Sequence, residues 1–324
     1  MRAAVYQGYG PAAEVLTVRE VERPEPGPGE VRVKVAVSGV NPTDWKSRAG
    51  LTPRPIDDFQ VPHHDGAGVI DAVGEGVDPS RVGQRVWVWY AAIGRWGTAA
   101  EWTVVPAGQA VGLPENASMA LGASLGVPAM TAHWCLFADG PITGRTVLVA
   151  GGAGAVGHFA IELAVRAGAQ VVATASGPEK AELARKAGAA HVVNYRDPDA
   201  ADQVRAAVGP VHRVVEVNLG ENLGLDLSVM EPGSTIVTYA AYPNDPVLPV
   251  RACMTANAVL RFVLLYGIGL DALGRAATDI SAALAEGALT ELPVHRFALD
   301  DIAAAHEACE AGTPGKVLVI PESA

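Results

Sequence analysis

The sequence predicts an α/β protein, with a β-rich first third followed by a doubly wound parallel sheet. Three observations predict it. An apolar run, Thr146-Val-Leu-Val-Ala150, enters the glycine turn Gly151-Gly-Ala-Gly-Ala-Val-Gly157, and a helical pattern follows over 158–168. From about residue 121 to 265 short buried-strand runs alternate with helical periodicity, which implies parallel strands and right-handed crossovers. Before residue 120 apolar and polar residues alternate between Pro/Gly turns, as half-buried antiparallel strands do.

In chain order, Arg2-Ala-Ala-Val-Tyr6 reads as the first strand, and 30–37, 69–73 and 85–90 continue the pattern with turns at 24–29 and 74–83. The parallel strands are expected at 146–150, 170–175, 191–194, 211–217 and 234–240, with a sixth near 259–265. A long helix, a segment over 292–298, a helix over 299–311 and a strand over 315–320 finish the chain. The expected domains are 1–120, 121–265 and 266–324, the last returning to the first.

The spacing Gly152-x-Gly154-x-x-Gly157 between a strand and a helix is the dinucleotide-binding fingerprint of a Rossmann fold. Gly152 permits the turn, Gly154 lets backbone approach a pyrophosphate, and Gly157 lets the helix close on the strand. Ala155 and Val156 open the helix whose free N–H groups and dipole would receive the phosphates. A helix after the motif argues against the kinase glycine loop, which lies between strands; a turn that serves only packing is the plainer alternative. The next strand, 170–175, ends without the Asp or Glu that would bind a ribose 2′-hydroxyl. Ser176 and Lys180 stand there instead, a hydroxyl and an ammonium suited to a 2′-phosphate, with Tyr195 and Arg196 able to close the same pocket. The expected cofactor is therefore NADPH. The alternatives are an N-cap for Ser176 and a solvated charge for Lys180.

A net charge of −11, with no visible basic patch, excludes a nucleic-acid partner. No uninterrupted apolar run reaches about 18 residues, so no membrane span is expected. The three cysteines, Cys135, Cys253 and Cys309, form no CxxC pair and read as small apolar residues of a reducing compartment. The N-terminus begins on a strand rather than a leader, and a cytoplasmic location is expected.

The run Pro62-His-His-Asp-Gly-Ala-Gly-Val-Ile-Asp-Ala-Val-Gly-Glu-Gly-Val77 resembles the glycine-rich signature of the medium-chain dehydrogenase/reductase superfamily. The segments 38–44, 97–102, 130–132, 296–302 and 315–319 are similar to its zinc-free quinone oxidoreductase (zeta-crystallin-like) branch. The resemblance covers essentially the whole chain. It implies a GroES-like catalytic domain formed by both chain ends, an inserted Rossmann domain, and a cleft where NADPH meets substrate.

Zinc-dependent relatives hold their catalytic ion with residues near Asn41, His64, Asp65 and Gly126; here both cysteines of that set are missing, and no metal is expected. Without a Lewis acid, alcohol oxidation loses its route to an alkoxide, whereas an electron-poor quinone or enone needs only alignment and one or two donors. By the resemblance, Asn41 and Thr131 lie near the nicotinamide; a turn Asn before Pro42 and a Thr bonding its own helix are the alternatives. Lys46 stands where many relatives carry a Tyr, as an enolate stabiliser or as a solvated partner of Asp44. Tyr239 and Lys316 are assigned to the cofactor. His64, Tyr90, Trp96 and Tyr266 are assigned to the substrate pocket, His64 being equally readable as a core histidine, and Tyr90 and Trp96 being drawn from an aromatic cluster at 87–102. Adjacent His63 and His64 are expected to point opposite ways. The apolar edge strand 259–266 is expected to pair across a two-fold axis in a homodimer, as in family relatives. An enoyl-thioester reductase, or an NADPH-binding sensor or structural protein with little turnover, are the competing readings.

Overall fold

The computed structural model describes residues 1–241 and 245–322. The chain divides into two compact units, Met1–Val127 with Glu291–Ala324 and Pro128–Thr290.

The first unit opens with β1 (Arg2–Val5), β2 (Thr17–Glu20), β3 (Glu30–Val40), β4 (Asp65–Val73), β5 (Arg85–Val88), β6 (Trp102–Pro106) and β7 (Ala110–Gly112). β3 runs three residues beyond the expected 30–37 and β4 begins four residues before 69, so their paired ends reach Gly39 and Asp65. Alternation does what the pattern promised: Val31, Val33, Ile70, Val86 and Val105 are all but fully buried in one cluster.

The second unit holds β8 (Thr146–Val149), β9 (Gln170–Ala175), β10 (His191–Asn194), β11 (Val211–Glu216), β12 (Met230–Thr238) and β13 (Val259–Phe262). All are parallel, in the order β10-β9-β8-β11-β12-β13. The strand order reverses between β8 and β11, and the carboxyl ends of strands at such a reversal are where an open parallel sheet receives a ligand. Helix Ala155–Arg166 returns from β8 with Phe159, Ala160 and Ile161 fully buried.

Two strands, β14 (Val294–Ala298) and β15 (Lys316–Ile320), bring the chain back into the first unit's sheet, ordered β14-β15-β3-β4-β5-β7 with β6 on β3. The return falls at Glu291, later than the residue 266 expected. The reason is the helix Leu270–Ala285: it buries Leu273, Ala276, Ala277 and Ile280, and its Asp279 receives His133 Nε2 at 2.9 Å, all within the second unit.

Register then places the site. Antiparallel pairing sets Val317 opposite Val40, so Lys316 lies beside the next residue, Asn41; β4 pairs Asp65 with Gly39 on the other side of β3. Residues 275 positions apart in sequence thereby meet.

Candidate active site

Asn41 leaves β3 and caps the helix Pro42–Arg48. Asp44, the third helical residue, reaches back to accept from the Asn41 backbone N–H at 2.7 Å and also accepts from His64 N at 3.2 Å. The Asn41 side chain faces elsewhere. Its Nδ2 donates to Asp65 Oδ2 at 2.7 Å, and its Oδ1 accepts from Lys316 Nζ at 2.6 Å. Asp65 also accepts from Val127 N at 2.9 and 3.0 Å, and Lys316 Nζ lies 3.6 Å from its Oδ2. Asn41, Asp44, Asp65 and Lys316 are all buried. Burial, and then the neighbouring Asp65, push the Asp44 carboxyl up to about 7; burial also raises Asp65, against the pull of Lys316.

A second network supports the Asp65 peptide. Thr98 Oγ1 donates to Asp65 O, so it must accept from Ser38, which accepts in turn from His63 Nδ1–H; His63 Nε2 then accepts from His306 Nε2–H at 3.0 Å. This order of donors assigns both tautomers. Burial holds His63 well below the usual imidazole range and His306 down at about 3, so both are neutral. The expectation that His63 and His64 point opposite ways assumed extended backbone, whereas His63 adopts a left-handed φ of 76°. Both histidines line a cavity of about 20 Å³ with Asp44, Ser47, Arg54 and Gln60, room for about one water. The His64 ring, 6.1 Å from that of Tyr90, is pushed down to about 3 by burial and by Arg54.

The donor set does not fit a catalytic zinc. Asp65 is engaged on both oxygens, the Lys316 ammonium lies against Asn41 Oδ1 and 3.6 Å from Asp65 Oδ2, and a Cβ at Gly126 would lie 2.2 Å from Asp65 Oδ1, leaving no room for a cysteine. Among the described residues no group of three or more His, Cys, Asp or Glu is arranged to hold a metal.

In the second unit the fingerprint residues form a cradle. Gly151 carries the left-handed φ of 67°, one residue before the glycine expected to make the turn. A Cβ on Gly157 would meet Gly151 O at 2.3 Å, so only glycine lets the helix approach. Gly154 is the exposed N-cap, and Ala155 and Val156 begin the helix, whose first-turn N–H groups are of the kind that can receive an anion. Ser176 follows β9, Tyr195 follows β10 and Tyr239 follows β12, all on the carboxyl edge of the sheet. Lys180 is exposed on the helix Pro178–Lys186, and Arg196 lies 5.6 Å over the Tyr195 ring. This edge and backbone geometry fit a dinucleotide diphosphate.

The remaining assigned residues belong to both units. Thr131 is buried in the helix Gly126–Phe137, and Tyr266 sits in a turn after β13. Lys46 lies 5.8 Å over Trp45, while its expected partner Asp44 serves two backbone N–H groups. Trp96 packs edge-on to Phe59 against the first unit's core. Lys316, assigned to the cofactor, is instead buried against Asn41 and Asp65. Sequence reasoning missed Asp44 and Asp65 as partners of Asn41; the Asn41-Pro-Thr-Asp44 capping pattern could have found the first.

The model of the alcohol dehydrogenase GroES-like domain matches residues 27–115, and that of the zinc-binding dehydrogenase family matches 155–280. The chain belongs to the medium-chain dehydrogenase/reductase superfamily. Within the superfamily it is 29% identical to the quinone oxidoreductase of Homo sapiens over 328 residues, covering 99% of this chain and 98% of that protein. A mycobacterial protein solved in complex with NADPH is 29% identical, with a TM-score of 0.85 over 99% of this chain and 100% of its own. A structure described as an NAD-dependent alcohol dehydrogenase is 27% identical, with a TM-score of 0.89 over 99% of both chains. The same scaffold thus carries both coenzyme names.

Proposed function

We propose that the chain is a metal-free, NADPH-dependent oxidoreductase that passes hydride to a quinone or an α,β-unsaturated carbonyl. The observation that carries this reading is the Asn41–Asp65–Lys316 cluster, in which Asn41 and Asp65 stand at positions that, by the resemblance, hold the metal in zinc-dependent relatives. A site without a Lewis acid suits an acceptor that is already electron-poor: the nicotinamide supplies hydride when bound, and the protein supplies alignment and hydrogen-bond donors. Asn41 and Thr131 are the residues proposed beside the nicotinamide, with Lys46 as a candidate for the enolate oxygen. His64, Tyr90, Trp96 and Tyr266 are proposed for the acceptor.

NADPH is favoured over NADH by the end of β9, where Ser176 and Gly177 stand in place of a carboxylate and Lys180 follows one turn later. The NADPH complex of the mycobacterial relative supports the same choice, and the quinone oxidoreductase relatives support the acceptor class. Purified protein is tested for NADPH oxidation with one ortho-quinone and one short enone, with NADH as control. Turnover with NADPH well above that with NADH is expected, and the preferred acceptor selects quinone or enone. Bound NADPH with no turnover of either acceptor would replace this reading with the sensor.

A further inference from the structure

We infer that Lys316 is a positioning residue whose ammonium takes the place of the metal, locking the Asn41 amide in one orientation between itself and Asp65. The inference rests on the proposed reading of Asn41 as a group beside the reacting atoms. An amide has one face of each kind: Oδ1 only accepts and Nδ2 only donates. Lys316 can only donate, and it sits 2.6 Å from Oδ1; ionised Asp65 can only accept, and it sits 2.7 Å from Nδ2. Turning the amide over would set NH₂ against an ammonium and a carbonyl against a carboxylate. Both contacts would be repulsive, so the amide is held one way round.

This leaves one Nδ2 proton and one Oδ1 lone pair for a ligand, in fixed directions. Asp65 is itself fixed, because both its oxygens accept from Val127 N at the start of the helix Gly126–Phe137, against Gly126. Two positions that by the resemblance hold zinc in metal-dependent relatives, Asn41 and Asp65, are therefore bonded to each other and to Lys316, and Asp65 is tied to the backbone beside a third, Gly126. Lys316 is 2% exposed and makes these contacts inside the first unit, so its ammonium serves Asn41 and Asp65 here.

Removing Lys316 alone would strand the buried Asp65 charge, so the test removes the pair. Lys316→Met/Asp65→Asn is compared with Asp65→Asn and with the wild type. NADPH oxidation is read as separate kcat and KM values, and protection of the Asn41 side-chain amide is read by ¹⁵N-detected hydrogen exchange. The double variant is expected to fold with kcat ~10–100-fold below both references, as when a group that orients a catalytic ligand is lost. KM for NADPH should stay within about threefold while Asn41 amide protection is lost. A loss carried by KM for NADPH would return Lys316 to the cofactor and overturn the inference. So would a double variant matching the wild type in kcat and in amide protection. Should the wild type turn over neither acceptor, the proposed function fails by itself, and the amide exchange alone decides: protection unchanged by the double variant overturns the positioning role.

Discussion

Ser176 follows β9 at the place where NAD-type folds put an acid, and coenzyme choice at this site is a question of one charge. A carboxylate there would accept from a ribose 2′-hydroxyl and repel a 2′-phosphate. Ser176→Asp is therefore expected to lower the ratio of kcat/KM for NADPH to that for NADH by ~10-fold or more, about 1.4 kcal/mol per factor of ten. Steady-state kinetics with both coenzymes check it; an unchanged ratio would mean that the 2′-phosphate is held elsewhere. Other residues were less legible. That Asn41 ends a strand and starts a helix could be read from Asn-Pro-Thr-Asp, but the direction of its side chain could not. That direction depends on Lys316, 275 residues away, and no local pattern encodes a sheet register.

Among elements, β11 and the helix Leu219–Val229 enclose a pair of carboxyls that the site does not use. Glu216 and Asp226 are 0% and 1% exposed; Glu216 Oε1 accepts from Asn218 N and Asn222 Nδ2, whereas neither Asp226 oxygen has a donor. Burial raises both, and Asp226 is raised further by the Glu216 charge. Two acceptors can bond each other only if one keeps a proton. Because folding raises these pKa values, their contribution to stability is full below the ordinary carboxylate range, near pH 4, and is lost as pH climbs through the raised values. Asp226→Asn supplies an N–H in place of that proton. The variant is expected to exceed the wild type by ~1–3 kcal/mol at pH 8, with the gap closing below about pH 5. Denaturant melts at the two pH values measure this, and a gap of equal size at both would contradict it. The strands themselves were legible: β8 to β11 fall within a residue of the apolar runs that announce them. The helix Leu270–Ala285 was legible as a long helix, but helical periodicity does not say which unit a helix covers, and so the boundary at Glu291 was missed.

At the scale of the whole molecule, β13 ends the six-stranded sheet, with β12 as its partner on one side; its last residue, Phe262, and Leu264 just beyond it are exposed, 73% and 69% accessible. An apolar open edge is a template for another strand, and a second copy of this chain is the occupant proposed. Sedimentation should give twice the 33.4 kDa chain mass for the wild type and the chain mass for Phe262→Lys/Leu264→Lys. A monomeric wild type would contradict the pairing. We propose that the ammonium, amide and carboxylate buried at the end of β3 stand in place of a metal and that reduction proceeds without one. The most direct test is to measure metal content and NADPH-dependent turnover of the same sample before and after exhaustive treatment with a chelator. The account predicts no stoichiometric zinc at either stage and an unchanged rate; one zinc per chain, or activity that falls with chelation and returns with zinc, would contradict it.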